Sequence, residues 1–266
     1  MKLKLGIWML VMVNLLIWLG PFFTVLDPET IHWDHMAVKP DQTFWLGTDV
    51  MGRDLFIRTL LGGQVSILVG LVASMVSVFI GVLYGMLAGF VGGRTDAIMM
   101  RLVDVLYALP FLFLVILLLV FFGQQLWLLF VAIGCYLWLD MARIVRGQTM
   151  MLKQQAFVES AVALGQSQVV ILRRHVLPNL MGVVLVYATL IIPQVIMIES
   201  FLSFLGLGVQ EPMTSWGALV NEGAGNMELA PWALLFPALF LSFTLVGFNL
   251  LGDGLRDRWD PSCQKQ

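Results

Sequence analysis

Residues Thr59 to Gly93 read TLLGGQVSILVGLVASMVSVFIGVLYGMLAGFVGG, a run with no Asp, Glu, Lys or Arg. A membrane span needs about 20 mostly apolar residues, and this run exceeds that without a charge. Four more stretches share the property: Leu5–Leu26, Val105–Leu139, His175–Ile198 and Leu229–Gly252. Four of the five runs suit one span each. The run from Val105 carries Gly123-Gln124-Gln125 at its middle and reads as two helices joined by a tight turn. The expectation is an all-α membrane protein of six transmembrane helices, with Pro110, Pro193 and Pro237 as kinks inside spans.

Composition agrees. The 266 residues are 59% hydrophobic and 12% charged, whereas a soluble domain averages about 45–50% apolar and about 25% charged. The net charge of -2 and the lack of a basic run give no footing for nucleic acid. Cys135 and Cys263 lie too far apart in topology to pair and read as bystanders. Lys2 and Lys4 before an apolar run raise the question of a secretory signal. No small-residue cleavage pattern follows, and Pro21-Phe22-Phe23 looks like a helix end, so a retained first span is expected.

Six spans place both termini on one side. If that side is the cytoplasm, twelve of the fifteen Lys and Arg residues face it, leaving Lys39, Arg53 and Arg58 outside. This is the positive-inside distribution and implies a multi-pass protein with both termini cytoplasmic. The chain divides into a first span and periplasmic segment (1–58), a five-helix core (59–252) holding a cytoplasmic loop at 148–178, and a cytoplasmic tail (253–266).

That cytoplasmic loop carries the densest pattern. Glu159 to Gly165 reads as a short helix ended by glycine, which takes the left-handed cap readily. Ser167 is placed to cap a second helix over Gln168–Val176, and Pro178 falls in the first turn of the fifth span. Small side chains at Ser160, Ala161 and Ala163 permit close approach by another chain. Val158, Val162 and Leu164 leave an apolar surface of the kind that marks a protein contact.

Glu159, Ala161, Gly165, Leu177 and Pro178 together resemble the Glu-Ala-Ala loop of ABC importer permeases. Ser160 stands for the usual alanine, and His175 or Val176 fills the usual aliphatic position. The stretch Trp45–Asp54 resembles the Gly-Thr-Asp-x-x-Gly-Arg-Asp segment of the C subunits of peptide and nickel permeases. Leu139–Gln148, Ser200–Gly208 and Gly252–Asp257 are also family-like, and Gln210-Glu211-Pro212 with Ser215–Ala218 are most like oligopeptide permease C subunits. The resemblance spans about residues 43–261, and the stretch before the first span is shorter than is usual.

The resemblance implies a type I importer permease whose elbow, with Glu159, Ser160, Ala161, Gly165, Leu177 and Pro178, couples to an ATPase. It implies a B-type permease partner, two ATPase subunits and a periplasmic solute-binding protein, with alternating access driving oligopeptides into the cell. No Gly-x-x-x-x-Gly-Lys-Ser/Thr loop is present, so ATP and magnesium belong to the ATPase subunits and this chain is not itself an enzyme. Dipeptide, nickel or glutathione cargo is the near alternative. A stand-alone channel or secondary transporter is the distant one, and would be expected to carry more spans or an inverted repeat.

Three polar groups invite a site. Asp49, Arg53, Asp54 and Arg58 read as structural, with Thr48 capping a short helix and Asp54 pairing Arg58 at i,i+4. Asp104 and Asp140 are expected to pair with Arg101 and Arg143 on their own helices rather than carry protons. Glu199, with Ser200 and Ser203, belongs either to the translocation path or to the support of a re-entrant turn. A peptide ammonium, a basic partner loop and backbone N–H groups are all open to it. Irregular backbone at membrane depth must be satisfied within the protein, which favours the last. His32, His35 and His175 lack ligand spacing, so no metal is assigned.

Overall fold

A computed structural model describes residues 1–24, 27, 30–123 and 125–259. The tail from 260, with Cys263 and Lys265, and Gln124 of the expected turn lie outside the described residues. Ten α-helices follow in order. They are α1 (Lys2–Leu19), α2 (Leu55–Val91), α3 (Gly93–Tyr107), α4 (Phe111–Phe122), α5 (Leu126–Lys153), α6 (Ala156–Ala163), α7 (Gln168–Ile171), α8 (Leu177–Phe204), α9 (Trp216–Gly225) and α10 (Pro231–Trp259). A π-helical turn, Leu172–Val176, joins α7 to α8. α2 and α10 run unbroken through positions 58 and 252.

Among the described residues, five helices are long and apolar enough to cross a membrane: α1, α2, α5, the continuous α7–α8 rod and α10. The sixth span differs from its expected form. Instead of one kinked helix, α3 and α4 meet at 79° across Ala108-Leu109-Pro110. Proline has no N–H to continue α3 and biases the residue before it away from helical backbone. α4 alone, at 12 residues, rises only about 18 Å.

Lipid gives apolar helices no hydrophobic reason to associate with each other, so small residues that admit close contact decide the pairing. α2 and α5 show this. Gly81, Gly85 and Gly89 form a stripe on α2, and a Cβ on Gly89 would lie 2.7 Å from the Arg146 carbonyl oxygen. On Gly81 it would lie 2.9 Å from that of Trp138. Val69, Ala73 and Val82 of α2 then meet Leu129, Ile133 and Met141 of α5 and Val184, Ile191 and Val195 of α8 in the main core. α1 lies on α10 by the same device, with Gly6 against the backbone of Gly247 and Leu251, and Lys2 Nζ reaches Asp257 at 3.3 Å.

Several polar pairings depart from the expected local ones. Asp54 caps α2, accepting from Ile57 N at 2.8 Å, so Arg58 turns away from it to Asp49 and Glu222. Thr48 caps nothing; its hydroxyl accepts from Val38 N–H and donates to the His35 carbonyl, folding the segment before α2. Asp104 pairs across helices with Arg143 at 2.8 Å, and Asp140 accepts from the Tyr107 hydroxyl at 3.0 Å. The reason is reach: Arg143 extends over the Tyr107 ring to the facing helix rather than along its own.

The stripe on α2 makes a direct prediction. Gly85→Val puts a branched side chain into the Ala142 carbonyl, and overpacking of this kind costs about 1–3 kcal/mol. Gly147, with open space at its Cβ, is the control. Thermal unfolding in detergent is expected to show a clear loss of midpoint for Gly85→Val and none for Gly147→Ala.

Candidate functional site

α6 leaves α5 at Gln154-Gln155 and folds back beneath the bundle. Its end is closed by Gly165 at φ +73, where the Gly165 N–H donates to Val162 O at 2.9 Å and the Gln166 N–H to Ala161 O at 3.2 Å. A side chain in that left-handed conformation costs roughly 1–2 kcal/mol, and glycine avoids it. Glu159 is exposed, and its carboxylate has no hydrogen-bond or ion-pair partner among the described residues. Ser160 is also exposed, its hydroxyl donating back to the Ala156 carbonyl at 2.7 Å.

Two elbow residues face the other way from expectation. Ala161 and Val158 are 3% and 1% exposed and join the main core with Ile171 and Val176. They seat the elbow instead of offering it. The outward apolar surface comes from Val162, Leu164 and Phe157, extended by Val169 and Val170 of α7, with Leu164 79% exposed.

The second limb also differs from a separate capped helix. Ser167 holds the N-cap position, yet its side chain makes no capping bond; only its carbonyl accepts, from Ile171 N. From Gln168 the chain stays helical to Phe204. Pro178 stands at the second position of α8 and lacks the N–H an α-helix would use there. Just before it Leu177 N–H reaches back five residues to Leu172 O, a π turn. Leu177 is half-buried and Pro178 exposed. Sequence reasoning saw the proline but not the π turn that keeps the rod continuous.

At the far end of α8, Glu199 is fully buried. Its partners are hydroxyls, not the backbone N–H groups expected: Ser203 donates at 2.8 Å, Ser66 at 3.0 Å and Ser200 at 3.4 Å. The backbone is reached one step further out. Ser203 Oγ accepts from Val209 N at 3.3 Å, and Ser66 Oγ from Trp216 N at 3.2 Å. Ser203 and Ser66 thus each donate to the carboxylate while accepting a backbone N–H, from Val209 and Trp216 respectively. The Trp216 indole N–H is held by the Thr59 carbonyl at 2.9 Å. Glu199 therefore joins α8, α2, the 205–215 loop and the start of α9.

Beside this lies a cluster the sequence only half revealed. Arg53 and Arg58 both donate to Asp49 Oδ2, at 2.8 and 2.6 Å. Arg58 also holds both oxygens of Glu222, at 2.8 and 3.1 Å, and Arg53 reaches Glu211 at 2.8 Å. Glu211 and Glu222 stand more than 150 residues away, and no local spacing points to them. The hydrogen bond from Arg53, and then its charge, hold the Glu211 carboxyl below the ordinary glutamate range. Two cavities of about 150 and 640 Å³ flank the cluster.

Comparison with known proteins places this arrangement. Residues 81–265 match the family model described as binding-protein-dependent transport system inner membrane component. The chain is 55% identical over 254 residues to the oligopeptide transport system permease protein of Escherichia coli strain K12, covering 95% of this chain and 84% of that one. It is 42% identical over 264 residues to the dipeptide transport system permease protein of Bacillus subtilis strain 168, covering 98% and 82%. The fold superposes on a chain from inward-facing conformations of a methionine ABC transporter, with a TM-score of 0.62 and 16% identity over 77% of this chain and 96% of that one.

The serine shell around Glu199 sets up a comparison of variants. Glu199→Ala strands three hydroxyls and is expected to cost about 1–3 kcal/mol, the range for a buried hydrogen-bonding group left without its partner. Glu199→Gln keeps an acceptor and is expected to lose less. Limited proteolysis within 205–215, run beside thermal unfolding, is expected to show that loop released in the alanine variant first.

Proposed function

Given that this chain belongs to the family of binding-protein-dependent transport system inner membrane components, we propose that it is the C-type permease subunit of an ABC importer that moves oligopeptides into the cell. The 55% identity to the oligopeptide permease of Escherichia coli supports that cargo. In this reading the chain pairs with a B-type permease subunit. Two ATPase subunits sit beneath and hydrolyse ATP with its magnesium, and a periplasmic binding protein delivers peptide from outside.

The observation that carries the reading is the elbow. An eight-residue helix shows an unpaired carboxylate and exposed Val162 and Leu164 to whatever lies beneath, while Val158 and Ala161 lock its other face into the core. A surface so built passes force from a partner to the bundle. α6 moves with Ile171 and Val176, and the rod from Gln168 to Phe204 is about 55 Å long at helical rise. A push at Glu159 and Gly165 therefore reaches Ser200, Ser203 and Glu199 at the far end, where the 205–215 loop is held. Rigid-body rocking of such rods between two packed states is a known form of alternating access. Leu177 and Pro178 set the π turn through which the elbow joins the rod.

Orientation follows from charge. Lys2, Arg94, Lys153, Arg173, Arg174 and Arg256 lie in the segments that the positive-inside rule assigns to the cytoplasm of a bacterial inner membrane. Both termini share that side. A cysteine at Ser167 is then expected to react with a membrane-impermeant maleimide in inverted vesicles and to resist it in intact spheroplasts.

Coupling is tested on the assembled complex in liposomes. Gly165→Val strains the left-handed turn, and Glu159→Ala removes the exposed carboxylate. Loss of one interface anchor is worth about 1–3 kcal/mol, so stimulation of ATP turnover by loaded binding protein is expected to fall about tenfold or more, and uptake with it. Full stimulated turnover with full uptake in both variants rules out the elbow as the coupling element.

A further inference from the structure

The larger cavity at the far end, about 640 Å³, lies between the first turns of α2 and the loop after α8. That volume is in the range of about 300–1,000 Å³ typical of small-molecule sites. Its polar lining is Arg53, Arg58, Gln64, Glu211 and Thr214, and Leu61 and Val65 supply an apolar wall.

Charge does not balance here. Three carboxylates, Asp49, Glu211 and Glu222, face two guanidiniums, Arg53 and Arg58. Asp49 is fully engaged: one oxygen accepts from the backbone of Met51 and Arg53, and the other from both arginines. Both oxygens of Glu222 are held by Arg58. Glu211 uses one oxygen on Arg53; among the described residues the other accepts nothing, and the side chain is 66% exposed. The surplus negative charge therefore sits on the carboxylate that faces the cavity.

A second feature points to a ligand. Thr214 lines the same cavity and is 8% exposed, and its side-chain oxygen is buried just behind that wall with no partner among the described residues. A buried hydroxyl left unpaired is costly. Gln64 donates its amide N–H to the Ile17 carbonyl at 2.9 Å, which leaves its side-chain oxygen to accept. A carboxylate, a hydroxyl and an amide oxygen beside an apolar wall suit a primary ammonium followed by a peptide unit and a side chain.

We propose that this cavity is a transit subsite for the free α-ammonium end of the peptide, bound by Glu211, with Thr214 and Gln64 orienting the first peptide unit. The assignment rests on the oligopeptide reading above. It makes Glu211 a residue that discriminates free from blocked amino termini, separately from whatever the binding protein selects.

The test uses the whole complex in nanodiscs without binding protein, and two probes, trialanine and N-acetyl-trialanine. Wild type is expected to bind trialanine about tenfold more tightly, the scale of one charge-assisted hydrogen bond. Glu211→Gln keeps an oxygen for Arg53 but not the charge, and is expected to bring the two probes to parity. Glu211→Asp is expected to keep the preference, and Thr214→Val to weaken both probes several-fold. Co-purification of the ATPases with each variant verifies assembly. No preference in wild type, or an unchanged preference in Glu211→Gln, overturns the subsite. So does a Glu211→Gln complex that binds both probes as wild type does but docks the binding protein weakly, since the charge would then meet that protein. Uptake assays separate the two claims. A wild-type complex that imports no oligopeptide with binding protein and ATP removes the transport reading itself, whereas normal import with no amino-terminal preference removes only the subsite.

Discussion

Hydrocarbon offers neither hydrogen-bond donors nor counter-charges, and the far half of this bundle is arranged around that lack. Glu199 is fully buried, and among the described residues no cation pairs with it. An isolated carboxylate in such a place is very costly. Three serine hydroxyls offset the cost, and two of them accept loop N–H groups in turn. Non-helical backbone near membrane depth is tolerated only when its polar groups are met within the protein. The carboxylate, the serines and the loop therefore stand or fall as one network, and what α8 does is felt at Val209 and Trp216.

The same constraint shapes the helix pairs. Where hydrophobic burial gives no advantage over lipid, closeness of backbones matters. Gly81, Gly85 and Gly89 let α2 meet α5, and Gly6 and Gly247 let α1 meet α10. Charges follow a second rule. Arg146 joins Asp96, and Arg143 joins Asp104, each across a helix boundary, so α3 is fastened to α5 by ion pairs where its short length gives little packing.

The two ends of the molecule answer to different needs. The elbow presents a small apolar surface and an exposed carboxylate. The far end holds an ionic cluster that ties the segment before α2 to the loop after α8 and to α9. The continuous rod from Gln168 to Phe204 joins them. Its π turn at Leu172–Val176 is a local answer to Pro178, and Val176 within it packs against the elbow's inner face, so the joint between elbow and rod is irregular with one buried face.

Much of this was legible without coordinates. Charge-free runs marked the five helices long and apolar enough to cross a membrane and the bent α3–α4 pair, because a charge is costly in the hydrocarbon core. Gly165 announced a helix end, and the Glu159–Pro178 pattern announced the family. Tertiary structure decided the rest. Side chains are shared between elements far apart in the chain, so no spacing rule gives Glu211 and Glu222 as partners of Arg53 and Arg58, or Tyr107 as the partner of Asp140. Asp54 was free to pair Arg58 until the N-terminus of α2 claimed its carboxylate. Val158 and Ala161 could face either way on a short helix, and only the docking of α6 onto Ile171 and Val176 turned them inward. Pro110 marked a weak point, but its 79° break needed the facing α5 to hold α3 and α4 at that angle. Sequence periodicity fixes what one helix prefers; which of its groups are satisfied, and by whom, depends on the neighbours that packing brings to it.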